Sequence, residues 1–174
     1  MRASLRILAL SLLLILVGKI DQTAGYYFAI ASTAAARELH DHGWVNATPP
    51  FFNVALFFAP DAEIKRFVLE TRGHAHELAQ RPEAALADFN RAVAADPKAT
   101  YALTHRAFMA ANKVFEAKYK SGGAGILNPS QPDIFWAAKV RTKAFADFDA
   151  ALAVDPKNEY AIIARANLLA SITR

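Results

Sequence analysis

The sequence predicts an all-α protein: a short solenoid of antiparallel helix pairs behind an amino-terminal signal or anchor helix. Three observations carry this expectation. Seven glycines and eight prolines in 174 residues are mostly clustered, leaving long uninterrupted stretches of helical character. Apolar residues make up 54% and charged residues 21%, which permits a packed core and excludes wholesale disorder. A stretch of the chain also repeats itself at a shift of 59 residues. Cysteine is absent, which rules out disulfide frameworks, thiolate zinc sites, iron–sulfur clusters and cysteine nucleophiles. The formal charge of +4 falls short of the concentrated basicity of a dedicated nucleic-acid binder, so no nucleic acid is expected.

Residues 1–25 read as a signal peptide or a short membrane anchor. Arg2 and Arg6 precede an apolar run from Ile7 to Gly18, closed by Lys19. Basic residues followed by about twelve apolar ones form a secretory n-region and h-region. The run is short for a membrane span, which needs about twenty apolar residues. Thr23-Ala24-Gly25 offers small residues for cleavage. Cleaved export, an uncleaved anchor and a buried first helix all remain open. The first two place the rest of the chain across the membrane from the arginines. The expected location is a bacterial-type periplasm, free or facing it from the inner membrane.

Residues 26–59 form an Ala- and aromatic-rich segment. Gln22 to His42 reads as a helix stopped by Gly43. Trp44 to Pro50 is expected to be a non-helical link. Phe51 to Phe58 then holds four phenylalanines in eight residues, read as a core cap, with membrane or partner contact as the alternative.

Residues 60–174 carry the repeat. Ala87–Ala107 against Ala146–Ala166 gives twelve identities in 21 positions, including Ala-Asp-Phe, Asp-Pro-Lys, Tyr-Ala and Arg-Ala. Repeated helix pairs imply stacked units sharing one core. Gly73, Ala85, Phe89, Ala92 and Pro97 follow one another at steps of 12, four, three and five. That order of small, small, aromatic, small and proline resembles the tetratricopeptide repeat, a helix–turn–helix unit of about 34 residues. Gly73 and Ala85 would let two helices approach closely, Phe89 would fill the gap towards the next unit, and Pro97 would end the second helix. Asp61 is placed to cap the first helix and Pro82 to open the second. A second unit begins near Thr100 and carries 25 extra residues around 113–143. A third supplies Ile162, Arg165, Ala166 and Leu169 as a lone capping helix. Arg72, Arg106 and Arg165 recur before the small residue, and Asp88 and Asp147 before the aromatic. They read as intra-repeat ion pairs, partly exposed and contributing at most about 1 kcal/mol each.

The resemblance implies a protein-binding groove lined by the first helix of each unit. The corresponding residues are Phe67, Glu70, His74 and Glu77, then Tyr101, His105, Phe108 and Asn112, then Tyr160, Ile163 and Asn167. Aromatic, amide and imidazole groups suit side-chain pockets with a few hydrogen bonds. The clamp for a terminal carboxylate found in some members is absent, and the chain's own amino-terminal segment is an alternative occupant. The second candidate surface is the insertion, where six basic residues face two acidic ones and aromatics are interleaved. Its tip comprises Lys118, Lys120, Phe135, Trp136 and Lys139, joined through Gly122-Gly123-Ala124-Gly125, with Ser130 or Asp133 capping the returning helix. An acidic protein or anionic lipid would suit it.

Catalytic signals are weak. His40-Asp41-His42 and His74-Ala75-His76 place their histidines two apart, on different helix faces. His74 and His105 with Glu70 or Glu77 are the one conceivable metal set. There is no HExxH, GxSxG, phosphate loop or nucleotide fingerprint. The expected function is therefore a non-enzymatic scaffold without cofactor, binding another protein, with membrane contact through residues 1–20 and 51–58. The alternative is an accessory subunit of a membrane complex; a metal-dependent enzyme is the third reading.

Overall fold

The computed structural model describes residues 21–120 and 131–171, with side chains placed for 21–113 and 138–171 apart from Asn46. The described residues are all-helical, with no strand. In chain order the helices are α1 (Gln22–Asp41), α2 (Pro49–Phe58), α3 (Ala62–Leu78), α4 (Pro82–Ala95), α5 (Thr100–Lys120), α6 (Gln131–Val154) and α7 (Glu159–Ala170). They fall into two compact units, one ending at Asp96 and the other beginning at Pro97.

In the first unit, local chemistry sets each boundary. Asp21 caps α1 by accepting from Thr23 N at 2.8 Å, and Asp61 caps α3 by accepting from Ile64 N at 2.8 Å. Gly43, at φ +79°, ends α1 in a left-handed turn with Trp44 N donating to Leu39 O at 2.8 Å. The α3–α4 turn uses the same bonding pattern with Gln80 at φ +56°, so a residue with a Cβ occupies the glycine position. The stretch expected as a non-helical link contains a 3-10 turn, Val45–Ala47, and Pro49 and Pro50 form the first turn of α2. Proline is tolerated there because those amides lack intrahelical acceptors anyway.

Along α1, Gly25, Ala29, Thr33 and Ala36 make a buried stripe of small residues. The Thr33 hydroxyl donates to Ala29 O at 2.7 Å, so the stripe carries no unmet donor. Phe52, Ala55 and Phe58 of α2 bury against it together with Ile64 and Val68 of α3. Phe28 stacks on Phe58 with centroids 4.9 Å apart. The Ala- and aromatic-rich segment therefore shares one core with α3. Phe51, Val54 and Phe57, on the other face of α2, stay exposed.

The hairpin itself closes over Gly73. A Cβ at that position would lie 2.8 Å from Phe89 Cε1, so only glycine admits the ring where it sits. In the second unit, α5 and α6 pair in the same register: Ala107, Ala111, Ala144 and Phe148 bury with Ala161, Ala164 and Leu168 of α7. Phe148 thus packs on its own hairpin and on the following helix at once. Helix α6 begins two residues before Asp133, which is therefore not its cap; Ser130 and the glycines of the insertion lie outside the described residues.

The recurring arginines and aspartates form bidentate pairs. Arg72 donates from Nε and Nη2 to Asp88 at 2.7 and 2.6 Å, and Arg106 does the same to Asp147 at 2.7 and 2.5 Å. Both aspartates are buried, so the pairs are tighter and less screened than the sequence suggests. Arg165 reaches back instead to Asp149 of α6 through Nε at 2.7 Å and lies over the Phe145 ring.

Candidate functional site

Four of the residues expected in the groove come together on one face of the second unit. Tyr101, His105 and Phe108 recur at steps of four and three along α5, which aligns them on one side of the helix. Tyr160 enters from the start of α7, fixed by Asn158, whose Oδ1 accepts from Ala161 N at 3.0 Å. The rings form a ladder. His105 stacks on Tyr101 with centroids 4.2 Å apart and on Tyr160 at 5.5 Å, while Phe108 leans on Tyr160 at 5.4 Å. The two tyrosines are exposed, and His105 and Phe108 are half-buried. Ile163 and Asn167 continue the face along α7, both exposed, and Asn112, half-buried, lies one turn beyond Phe108 on α5. Half-buried aromatics in mutual contact lose little side-chain freedom on binding and offer large apolar area with a few polar edges. Such a face can hold a peptide or helix.

In the first unit, α3 presents Phe67 and His74 to solvent, with Glu77 half-buried and its Oε2 3.8 Å from His74 Nδ1. Glu70 is buried and accepts from Arg66 Nη1 at 2.7 Å, so it serves an ion pair of α3 rather than an open surface. Arg66 Nε also lies 3.3 Å from Asp96. Of the insertion tip, Lys139 is exposed on α6, whereas the side chains of Lys118, Lys120, Phe135 and Trp136 lie outside the described residues.

A polar centre that sequence spacing does not reveal surrounds Asp88. Arg72 Nη1 donates to Asn53 Oδ1 at 3.1 Å, and His76 Nε2 and Arg91 Nη1 each stand 3.8 Å from the Asp88 carboxylate. Burial lowers the pKa of His76 below its ordinary value; Asp88 opposes this, and Arg72 and Arg81 reinforce it. The adjoining cavity, lined by Val45, Thr48, Phe52 and Arg81 among others, measures about 10 Å³. That is about the space one water needs, too little for a metabolite. A larger open cleft of about 270 Å³ lies between Gln22, Thr23, Tyr26 and Tyr27 of α1 and the Pro60-Asp61 corner.

Among the described residues no helix is long and apolar enough to cross a membrane, and the apolar run at residues 7–18 lies outside them. No family model, curated protein or solved structure matches the chain.

Proposed function

We propose that this chain is a small scaffold of the tetratricopeptide-like type, exported or anchored at its amino terminus, that holds another protein without bond chemistry. The observation carrying this reading is the Tyr101–His105–Tyr160 ladder with Phe108, an aromatic face left partly open to solvent. Two hairpins with the same bidentate pair and the same aromatic packing support the repeat assignment. The ladder is pre-stacked, so little ordering entropy opposes association, and the tyrosine edges and Asn167 supply directional contacts.

Site-specific photo-crosslinking tests the reading. A photoreactive residue at Ile163 should give a discrete adduct in the native membrane fraction, and the adduct should fall several-fold in the Tyr101→Ala background. The same label at exposed Ala153 should not reproduce it. Adducts of equal yield at both positions would reject the face as a binding surface. So would a stability loss from Phe108→Ala as large as that from a core phenylalanine.

A second reading, an accessory subunit of a membrane complex, draws on Phe51, Val54 and Phe57. These form an exposed apolar stripe on a charge-free helix that follows the amino-terminal segment. Release of the mature protein by osmotic shock without detergent would count against it.

A further inference from the structure

We infer that α7 carries an open seat for an amphipathic helix, and that this ligand presents an Asp-Phe pair flanked by alanines. The inference goes beyond the aromatic face, because it concerns a different side of α7. By the repeat register, Leu69, Arg72 and Gly73 of α3 correspond to Leu103, Arg106 and Ala107 of α5, and to Ile162, Arg165 and Ala166 of α7. On α3 and α5 this side is covered. Leu69 and Leu103 are 0% and 3% exposed, Gly73 lies under the Phe89 ring, and Ala107 buries with Phe148. On α7 the same side is open: Ile162 is 45% exposed, Leu169 is 49% exposed and Ala166 faces solvent.

The covering element in the first two cases defines what fits the third. Helix α4 brings Ala85, Asp88, Phe89 and Ala92, and α6 brings Ala144, Asp147, Phe148 and Ala151, at identical spacing. The aspartate takes the arginine in a bidentate bond and the phenylalanine lies over the small residue. Among the described residues no second helix follows α7 to do the same. Arg165 shows the difference directly. Its side chain is 37% exposed and meets Asp149 through Nε, whereas Arg72 and Arg106 are 14% and 15% exposed.

Ile162 and Leu169 thus offer an apolar floor, Ala166 a flat spot for a ring, and Arg165 a guanidinium edge for a carboxylate. A second copy of α7 is a poorer occupant, since it sets Arg165 against Arg165 and brings no aspartate. The ligand class is accordingly an amphipathic helix of net negative or neutral face, with Asp and Phe adjacent.

The probe is a peptide with the sequence of residues 82–95, locked as a helix by a side-chain lactam on its solvent face and checked by circular dichroism. Titrated into the full chain, it should bind saturably and shift the amide resonances of Ile162, Arg165, Ala166 and Leu169. Phe89→Ala in the peptide, and separately Ile162→Asp in the protein, should each weaken binding by about tenfold or more, as expected for a central anchor. Glu83→Gln, at an exposed position of α4 in the full chain, should leave it unchanged. No saturation by about 1 mM, the limit of weak specific binding, would overturn the inference. Resonance shifts confined to α3 or to the Tyr160 face would do the same. So would a chain that dimerises through Ile162 while ignoring the peptide.

Discussion

In the α3–α4 hairpin the Phe89 ring rests on Gly73, whereas in the α5–α6 hairpin Phe148 shares its cluster with Ala107. The bidentate arginine–aspartate pair is the same in both. Around it, however, the first hairpin adds Asn53, His76 and Arg91, contributed by α2, α3 and α4. The repeated parts are thus those that fix one helix against its partner, and the parts that vary are those that fit each hairpin to its own neighbours. The second unit also spends its aromatics differently, exposing a stacked ladder where α3 exposes Phe67 and the imidazole of His74.

The largest test removes the ring from each hairpin. Phe89→Ala and Phe148→Ala should each cost about 3–5 kcal/mol in denaturant unfolding, the usual loss for a buried aromatic. Losses below about 1 kcal/mol in both would break the claim of a common packing core. Next comes the ion pair. Asp88→Ala or Asp147→Ala leaves a mostly buried arginine without its carboxylate, at a cost of about 3 kcal/mol. Equal losses would mean that the pair acts by itself, and unequal ones would measure what Asn53, His76 and Arg91 add. Replacing Arg72 and Asp88 together by Met and Leu should recover most of the loss.

Exchanging the small residues is a finer probe. Gly73→Ala gains about 1 kcal/mol of helix propensity and should lose more than that, since overpacking costs about 1–3 kcal/mol. Adding Phe89→Leu should relieve the overlap. Ala107→Gly should be destabilising by about 1 kcal/mol through propensity alone. If either swap were stabilising, the two seats would not be individually fitted.

The smallest effect is set by pH. Because folding lowers the pKa of His76, the unfolded chain takes up a proton more readily once the pH falls below 6.5. Stability contributed by the neutral imidazole is full above that value and declines as the pH drops towards the folded-state pKa. His76→Gln should therefore lose less stability than the parent chain between pH 7.5 and 5. A steeper loss in the variant would mean that attraction to Asp88 outweighs burial.

Much of the scaffold is legible in the sequence because its signals are local. Asp61, Gly43 and Pro82 act within one turn of themselves, and the structure puts helix ends at each. The arginine–aspartate pairs are legible because repetition exposes them. Coverage is not local, and here reading fails. Nothing in the spacing of residues 51–58 tells which half of the phenylalanines is buried, and the four-residue step from Arg66 to Glu70 suggests the pair without saying that Glu70 is buried. The prolines at 49 and 50 carry two meanings, turn or helix start, and only the packing of Phe52 and Phe58 decides between them. The ladder sits between: its α5 members share a face by periodicity, but their meeting with Tyr160 depends on how α7 is laid down.

The same ion pair closes very different lengths of chain. Arg72 and Asp88 are 16 residues apart, Arg106 and Asp147 are 41 apart. Chain closure over the longer span is costlier by about 0.8 kcal/mol, a factor of about four in probability. The contacts at the end of that longer closure are nearly the same, so the difference falls on timing. The α3–α4 hairpin should assemble first and serve as the nucleus, with α5 and α6 zipping later. Phe89→Ala would then slow folding, while Phe148→Ala would mainly speed unfolding, and a chevron for each separates the two. During synthesis this order matches the ribosome's own, with the early hairpin complete before the late one has left the exit tunnel.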